Sequence, residues 1–421
     1  MPFSGYLRVV LAGCVLALIG ASAFNWSVDP YAIFGSPRVK GFNEKKPYAG
    51  DRGRTAKIYQ AIRTKPRGLI VGNSRPEMGL NPEDRCWPFA ARPVYNIALP
   101  GLSEYKQIRY AQHGIAAGDP RLVLMTIDFA DFLNRTANRN DPREWPIPSQ
   151  EKDAHLLVDA NGFRRRAFPW EKAQDFIGAT LSLDALAHSV ATVFDQHEHF
   201  VETRTMLGFN PARNIYLPIL RSEGIRVLFR QKDQMLAREF AGKRWALYQG
   251  QSRWSSQFEG LSRFLKMSAV RGIRTILVIN PLHAEYLVIL DLAHLWPMQE
   301  EWKRRIVEVA SRSNTAVWDF SEFDGFTTEA IDSLAARGQG LKWFWEPAHY
   351  RERLGDIMLA NIFRATCPAS EPIQPYGTEI NRYNLDAHLR QIRAERDRYT
   401  ASHRAVVERL SALVRSSRPQ P

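Results

Sequence analysis

Cysteine is scarce in this chain: three in 421 residues, at positions 14, 86 and 367. That scarcity excludes a disulfide-dense scaffold and a cysteine-based zinc module. Also missing are a Gly-rich phosphate loop, a dense Lys/Arg block interleaved with aromatics, an internal repeat and an extended low-complexity tract. The first absence argues against a nucleotide-binding or phosphoryl-transfer protein. The second makes nucleic acid the least favoured partner. No cofactor and no metal are expected. What is present is the composition of an ordinary globular protein, 45% hydrophobic and 24% charged, long enough to bury a large core. The net charge of +13 is less ordinary. It reads either as a diffuse solubility charge or as a surface for anionic lipid or acidic polysaccharide.

The N-terminus carries the one long apolar run. Residues 9–20 are unbroken after Arg8, and the apolar character extends to Phe24. This length lies between a signal-peptide core and a minimal membrane span. Ala21-Ser22-Ala23 fits a small-x-small cleavage site, so secretion after removal at Ala23 is the alternative to an uncleaved anchor. The basic residues that follow, from Arg38 to Lys57, would favour the cytoplasmic side, but long domains cross largely regardless of charge. The expectation is an exported, membrane-anchored protein with its main domain periplasmic or otherwise extracytoplasmic. A buried helix of a cytosolic protein is the plainer reading. In an oxidising compartment Cys86 and Cys367 are either a pair or two buried thiols.

Five short apolar runs follow, at 69–71, 94–98, 122–127, 275–279 and 316–320, several flanked by helical patterns such as 103–117, 253–271 and 299–311. Continuous rather than alternating apolar character marks strands covered on both faces. Alternation with helices predicts a doubly wound, parallel α/β sheet, in which ligands gather beyond the carboxyl ends of the strands. Ser74, Asn96 to Gly101, Asp128 and Asn280 to His283 all fall on that edge. The chain divides into an anchor or signal segment (1–26), a lead-in (27–64) and an α/β domain (65–367). A linker with a C-terminal amphipathic helix follows (368–421). An insertion at about 134–250, opening with a Pro-rich loop at 141–148 and continuing in a helical stretch at 170–196, is expected to cap the strand ends.

Two segments carry chemistry. Gly72-Asn73-Ser74 places a serine at a strand-to-helix turn, and Glu346-x-x-His349 places an acid within reach of a histidine. A serine hydroxyl needs a base to take its proton, and that base needs a carboxylate on its other ring nitrogen. Oxyanion donors are then the Ser74 N–H, the Gly101 N–H and the Asn96 side chain. Arg75, Asn280, His283 and Trp345 are candidate substrate contacts. The plainer readings are an N-capping Ser74, a helix-start Glu346, a satisfied loop His283, a salt-bridged Arg75 and core packing for Trp343 and Trp345. Asp128 and Asp131 are either a metal pair or acceptors for loop amides.

The Gly72-Asn73-Ser74 turn, Asn96…Gly101 after the next strand and the late Glu346-x-x-His349 together resemble the SGNH (GDSL-like) hydrolase and acyltransferase superfamily. The resemblance spans roughly residues 65–365 and implies a flavodoxin-like, five-stranded parallel sheet. It also implies Ser74 as nucleophile, His349 as base, Glu346 as orienter and Gly101 as an oxyanion donor. Two departures stand out. Glu346 occupies a position where Asp is usual, and the third block, Met125 to Asp131, lacks the expected asparagine, so Asn96 or Asn280 has to substitute. The anchor and the Gly-x-Ser-Arg turn look most like membrane-anchored polysaccharide O-acylation proteins. These imply a glycan or acyl-ester substrate and a multispanning acyltransferase as partner. A catalytically inactive SGNH-shaped scaffold that binds polysaccharide or a partner is the alternative.

Overall fold

The computed structural model describes residues 3–135, 155–201, 204–249, 253–331, 338, 340–368 and 373–418. The Pro-rich loop at 141–148, part of the linker and the last three residues lie outside the described residues. The chain opens with helix α1 (Phe3–Val28). Within it, Gly5–Val28 is long and apolar enough to cross a membrane or to act as a signal sequence. Helix α2 (Gly53–Thr64) then leads into strand β1 (Gly68–Val71) and the short helix α3 (Ser74–Gly79). Strand β2 (Val94–Asn96), helix α4 (Glu104–Gly118) and strand β3 (Leu122–Ile127) follow.

The insertion starts with strand β4 (Asn134–Arg135) and holds helices α5 (Phe168–Thr180), α6 (Leu183–Phe194), α7 (Arg213–Ser222) and α8 (Ile225–Ala241). It closes with strand β5 (Trp245–Ala246), antiparallel to β4. Beyond it lie α9 (Ser256–Val270), β6 (Arg274–Ile279), α10 (Ala284–Leu292), α11 (Trp296–Ser311) and β7 (Ala316–Asp319). A small hairpin, β8 (Phe344–Glu346) with β9 (His349–Tyr350), precedes α12 (Glu352–Ile362). The chain then runs through β10 (Thr378–Ile380), α13 (Leu385–Ser402) and α14 (Arg404–Ser417).

The central sheet has six strands in the order β10-β7-β6-β3-β1-β2. Five pair in parallel, and β10 runs antiparallel to β7 at the edge. The sheet expected to have five strands therefore has a sixth, antiparallel one at its edge. Thr378-Glu379-Ile380 is too brief and too polar to read as a strand, and only its pairing with β7 defines it. Side chains of the parallel strands alternate between two cores. Leu69, Val71, Val123, Met125 and Leu277 join α4, α9 and α11 on one face. Ile70, Leu124, Ile276 and Val278 meet α8 and α12 on the other. Covering both faces is what makes each strand read as an uninterrupted apolar run.

The helical stretch expected at 170–196 consists of two helices. Ser182 leaves the helical region (φ −80°, ψ 149°), and its hydroxyl accepts from the Ala185 N–H, capping α6. The tail, expected to be a single amphipathic helix, is a strand followed by two helices. The second helix reaches the insertion, where Arg409 pairs with Asp233 of α8 at 2.7 Å and with Glu285 of α10. Cys86 and Cys367 form a disulfide across 281 residues of sequence.

Candidate active site

Ser74 is the first residue of α3, three residues beyond the end of β1. A helix start leaves backbone N–H groups without intrahelical acceptors; in α3 the Arg75 N–H is taken by the Asn73 side chain and Pro76 has none, which leaves the Ser74 N–H at the carboxyl edge of the sheet. Two close approaches fix this turn. A Cβ on Gly72 would stand 2.3 Å from Thr126 Oγ1 and 2.5 Å from Pro76 Cγ, so only glycine lets the turn lie against β3. Farther along, Gly355 of α12 packs directly on α3: a Cβ there would stand 1.7 Å from the Gly79 carbonyl oxygen. The serine helix and the helix that follows His349 are thereby locked together.

That packing brings Ser74 Oγ within 2.7 Å of His349 Nε2. On the other side of the ring, Nδ1 bonds the Glu346 Oε1 carboxylate. Glu346 and His349 face each other across the β8–β9 hairpin, and the His283 N–H donates to the Pro347 carbonyl at its turn, 3.0 Å away. Glu346 is fully buried. Burial alone would raise its carboxyl, but the His349 ring, the Lys232 ammonium and the Ala348 N–H hold it down at about 2. It is therefore a carboxylate wherever the protein is folded near neutrality. A buried carboxylate against Nδ1 fixes the tautomer that leaves Nε2 free to accept the Ser74 proton.

Two residues that the sequence did not single out complete this environment. Lys232 Nζ of α8 lies 3.5 Å from Glu346 Oε1, and the Tyr216 hydroxyl of α7 lies 3.5 Å from the same oxygen. Both come from the insertion, more than 100 residues before the acid they touch. No local spacing could have signalled them.

Arg75 and Asn73 tie the serine turn to its neighbours. Arg75 Nε donates to the Ala348 carbonyl at 2.8 Å, and Nη1 pairs with Asp128 at 2.8 Å. Asn73 donates to Asp128 Oδ2 at 2.6 Å and to Asp131 Oδ2 at 3.2 Å, while its own Oδ1 accepts from the Arg75 N–H. Arg75 is thus a clamp between the serine turn and the histidine loop rather than a free contact for substrate. The oxygens of Asp128 and Asp131 accept from side chains: Asn73, Arg75, Asn280 and Gln107. Among the described residues no group of three or more His, Cys, Asp or Glu is arranged to hold a metal ion.

The side chains of the other candidate contacts are engaged by the protein itself. Asn96 is fully buried, and its amide donates to the Pro76 and Leu80 carbonyls at 2.8 and 3.0 Å. It holds α3 in place and has no N–H left for a substrate oxygen. Asn280 donates to Asp128 at 3.1 Å and accepts from the Tyr350 hydroxyl at 3.2 Å. His283 caps α10 through Nδ1 and meets the Glu329 carbonyl through Nε2 at 2.9 Å. Burial lowers its pKa, in keeping with a neutral, satisfied ring. Trp345 is buried, stacked on Tyr216 at 5.1 Å and covered by the Arg351 guanidinium at 4.1 Å. No open face remains for a sugar. Gly101 sits in an exposed turn at φ +68°, with no heavy atom within 4 Å of where a Cβ would stand.

No protein-family model and no curated protein matches this chain. The Ser74–His349–Glu346 geometry therefore stands on the side chains themselves. A hydroxyl, an imidazole and a buried carboxylate in hydrogen-bonded series are equipped for proton transfer and nucleophilic attack on a carbonyl.

Proposed function

We propose that the chain is an SGNH-type serine O-acyl esterase or acyltransferase, membrane-anchored and extracytoplasmic, acting on a cell-surface or exopolysaccharide glycan. The observation that carries this reading is the unbroken series Ser74 Oγ–His349–Glu346, with the carboxylate held ionised in a buried setting. The parallel strand order β2-β1-β3-β6-β7 supports it, since this is the flavodoxin-like order with the serine at the end of the strand beside the switch point. The glycan and a multispanning acyltransferase partner are what the superfamily resemblance implies. The apolar α1 and the basic balance of the chain accord with work at a membrane surface.

In the proposed reaction Ser74 Oγ attacks the acyl carbonyl carbon while its proton passes to His349 Nε2. The tetrahedral oxyanion faces the Ser74 N–H at the start of α3. Collapse breaks the bond to the departing alkoxide, which leaves with the proton from His349. A sugar hydroxyl or water then attacks the acyl-Ser74 ester, giving its proton to His349, and Ser74 departs with that proton. Transfer and hydrolysis differ only in the second acceptor.

One observation favours the second reading, an inactive scaffold that binds glycan or a partner: the Asn73, Asn96 and Asn280 amides are all committed to the protein. A fluorophosphonate probe separates the two. Labelling of the full chain that disappears in Ser74→Ala is expected. A folded wild-type protein that does not label would establish the scaffold.

A further inference from the structure

Helices α5 and α6 each expose a stripe of apolar side chains, although their inner faces already pack on the core through Phe168, Phe176, Ala179 and Ala185. Beside the exposed Lys172 and Gln174, α5 and its C-cap turn Trp170, Ala173, Ile177 and Leu181 outward as one helical stripe, with Trp170 67% exposed. Its carboxylates face the domain. Glu171 pairs with Arg165, and Asp175 accepts from the Tyr59 hydroxyl at 2.7 Å. On α6 the outward stripe is Leu183, Ala187, Val190 and Phe194, with Leu183 83% and Phe194 76% exposed. Ser189 and Thr192 are turned inward and buried. Apolar side chains exposed at i, i+3, i+7 and i+11 on the first helix and at i, i+4, i+7 and i+11 on the second are an arrangement that water disfavours.

The position of the pair says what covers it. The two helices bend by 56° at the break between them, and that elbow is docked on the end of α1: Asn25 Nδ2 donates to the Thr180 carbonyl at 2.8 Å. Behind the elbow, His188 of α6 meets the Tyr31 hydroxyl at 2.9 Å and stacks on Tyr48. Along α1, residues 6–20 are exposed throughout, and burial against the domain begins at Ala21. A bilayer core about 30 Å thick takes up ~20 helical residues. An α1 that crosses the membrane from its first turns therefore brings residues 21–28, and the elbow beside them, to the level of the membrane interface. Trp26 of α1 is exposed at this end, where interfacial tryptophans collect. Lys172, exposed on α5 itself, is suited to a lipid phosphate.

We propose that α5 and α6 form a bent interfacial hairpin that rests in the lipid bilayer beside α1, so the domain is held against the membrane by two elements rather than hung from one. The proposal rests on the reading that α1 is a membrane segment. In consequence the insertion is divided in function. Its first half seats the domain on the bilayer, while α7 and α8 reach the Glu346 carboxylate.

The test places single fluorescent labels on the full chain carrying Cys14→Ser, in phosphatidylethanolamine/phosphatidylglycerol vesicles. Labels at Leu183→Cys and Phe194→Cys report the hairpin, Leu16→Cys reports α1, and Val270→Cys reports a surface site on α9. Thermal melting confirms that each labelled protein is folded. The expected result is a blue shift at 183, 194 and 16, with loss of emission when brominated lipids are used and protection from aqueous iodide. The label at 270 is expected to be quenched by iodide alone. Iodide quenching at 183 and 194 with a lipid-quenched label at 16 would overturn the hairpin while leaving the anchor intact. A label at 16 open to iodide would overturn both. Labels at 183 and 194 shielded from iodide and from brominated lipid alike would mean that a second copy of the chain covers the patch, and would overturn the lipid assignment.

Discussion

Glu346→Gln is the most informative single change, because the two oxygens of this carboxylate do different work. Oε1 faces His349 Nδ1, with Lys232 and Tyr216 nearby, and Oε2 accepts the Ala348 N–H at 3.0 Å. A glutamine cannot serve both sides. If its oxygen faces His349, its NH2 opposes the Ala348 N–H, leaving a buried donor unmet at about 1–3 kcal/mol. If it is turned over, the NH2 faces Nδ1 and drives the ring proton to Nε2, which can then no longer accept from Ser74. The charge matters as well. Holding the Glu346 carboxyl at about 2, below its ordinary 4.5, corresponds to roughly 3 kcal/mol of native-state stability. A depressed carboxyl contributes that stability above pH 4.5 and loses it as pH falls through about 2. Urea unfolding should therefore show Glu346→Gln less stable than wild type at neutral pH, with the gap closing in acid. The rate of fluorophosphonate labelling at Ser74 should fall by about 10³–10⁴, as expected when the orienting charge of a triad is removed. A folded Glu346→Gln protein that labels at the wild-type rate would refute the relay. A stability gap unchanged between neutral pH and strong acid would refute its electrostatic account.

Three further perturbations address the frame around the site. Removing the disulfide by Cys86→Ser with Cys367→Ser opens a covalent loop of 281 residues, which in the chain-entropy account costs up to ~5 kcal/mol, read as a lower urea midpoint. Asp319 is fully buried. Burial opposes its charge, but Lys303 at 2.5 Å and His388 at 3.0 Å hold its carboxyl down at about 2. Asp319→Asn leaves the Lys303 ammonium buried without its counter-charge and should cost about 3–5 kcal/mol at neutral pH, the difference shrinking as pH falls from 4 towards 2. Gly355→Ala, whose new Cβ collides with the Gly79 carbonyl, should lower the melting temperature through a cost of about 1–3 kcal/mol. It should also slow Ser74 labelling by shifting α12 and α3 apart.

The parts legible in sequence were those encoded locally. Runs such as 122–127 and 275–279 are apolar but for one threonine each because both sheet faces are covered, so strand positions and the edge bearing Ser74 could be read directly. Glu346 and His349 are three residues apart, and their meeting needs only one tight hairpin. Partnerships made by the fold were not legible. Asn96 looked like a polar residue at a strand end, and nothing near it shows that the Pro76 and Leu80 carbonyls come back to take its amide. His283 could be placed at a strand end, but its second ring nitrogen is met by the Glu329 carbonyl, which arrives from another loop. Lys232 and Tyr216 lie in a helical insertion whose spacing reports only amphipathicity. The edge strand β10 is defined by its register with β7 and has no apolar signature of its own.

The separation of Ser74 from His349, 275 residues, also sets a timetable. A ribosome adding ~5–20 residues per second takes roughly 15–55 s to cover that distance. During this interval β1, β2 and β3 are already available to pair, so the serine turn can be built while its histidine does not yet exist. A nascent chain therefore carries Ser74 as an unassisted hydroxyl for most of its synthesis. The hydrogen bond to His349 is made only when nearly the whole domain is present, and with it any reactivity that depends on that bond.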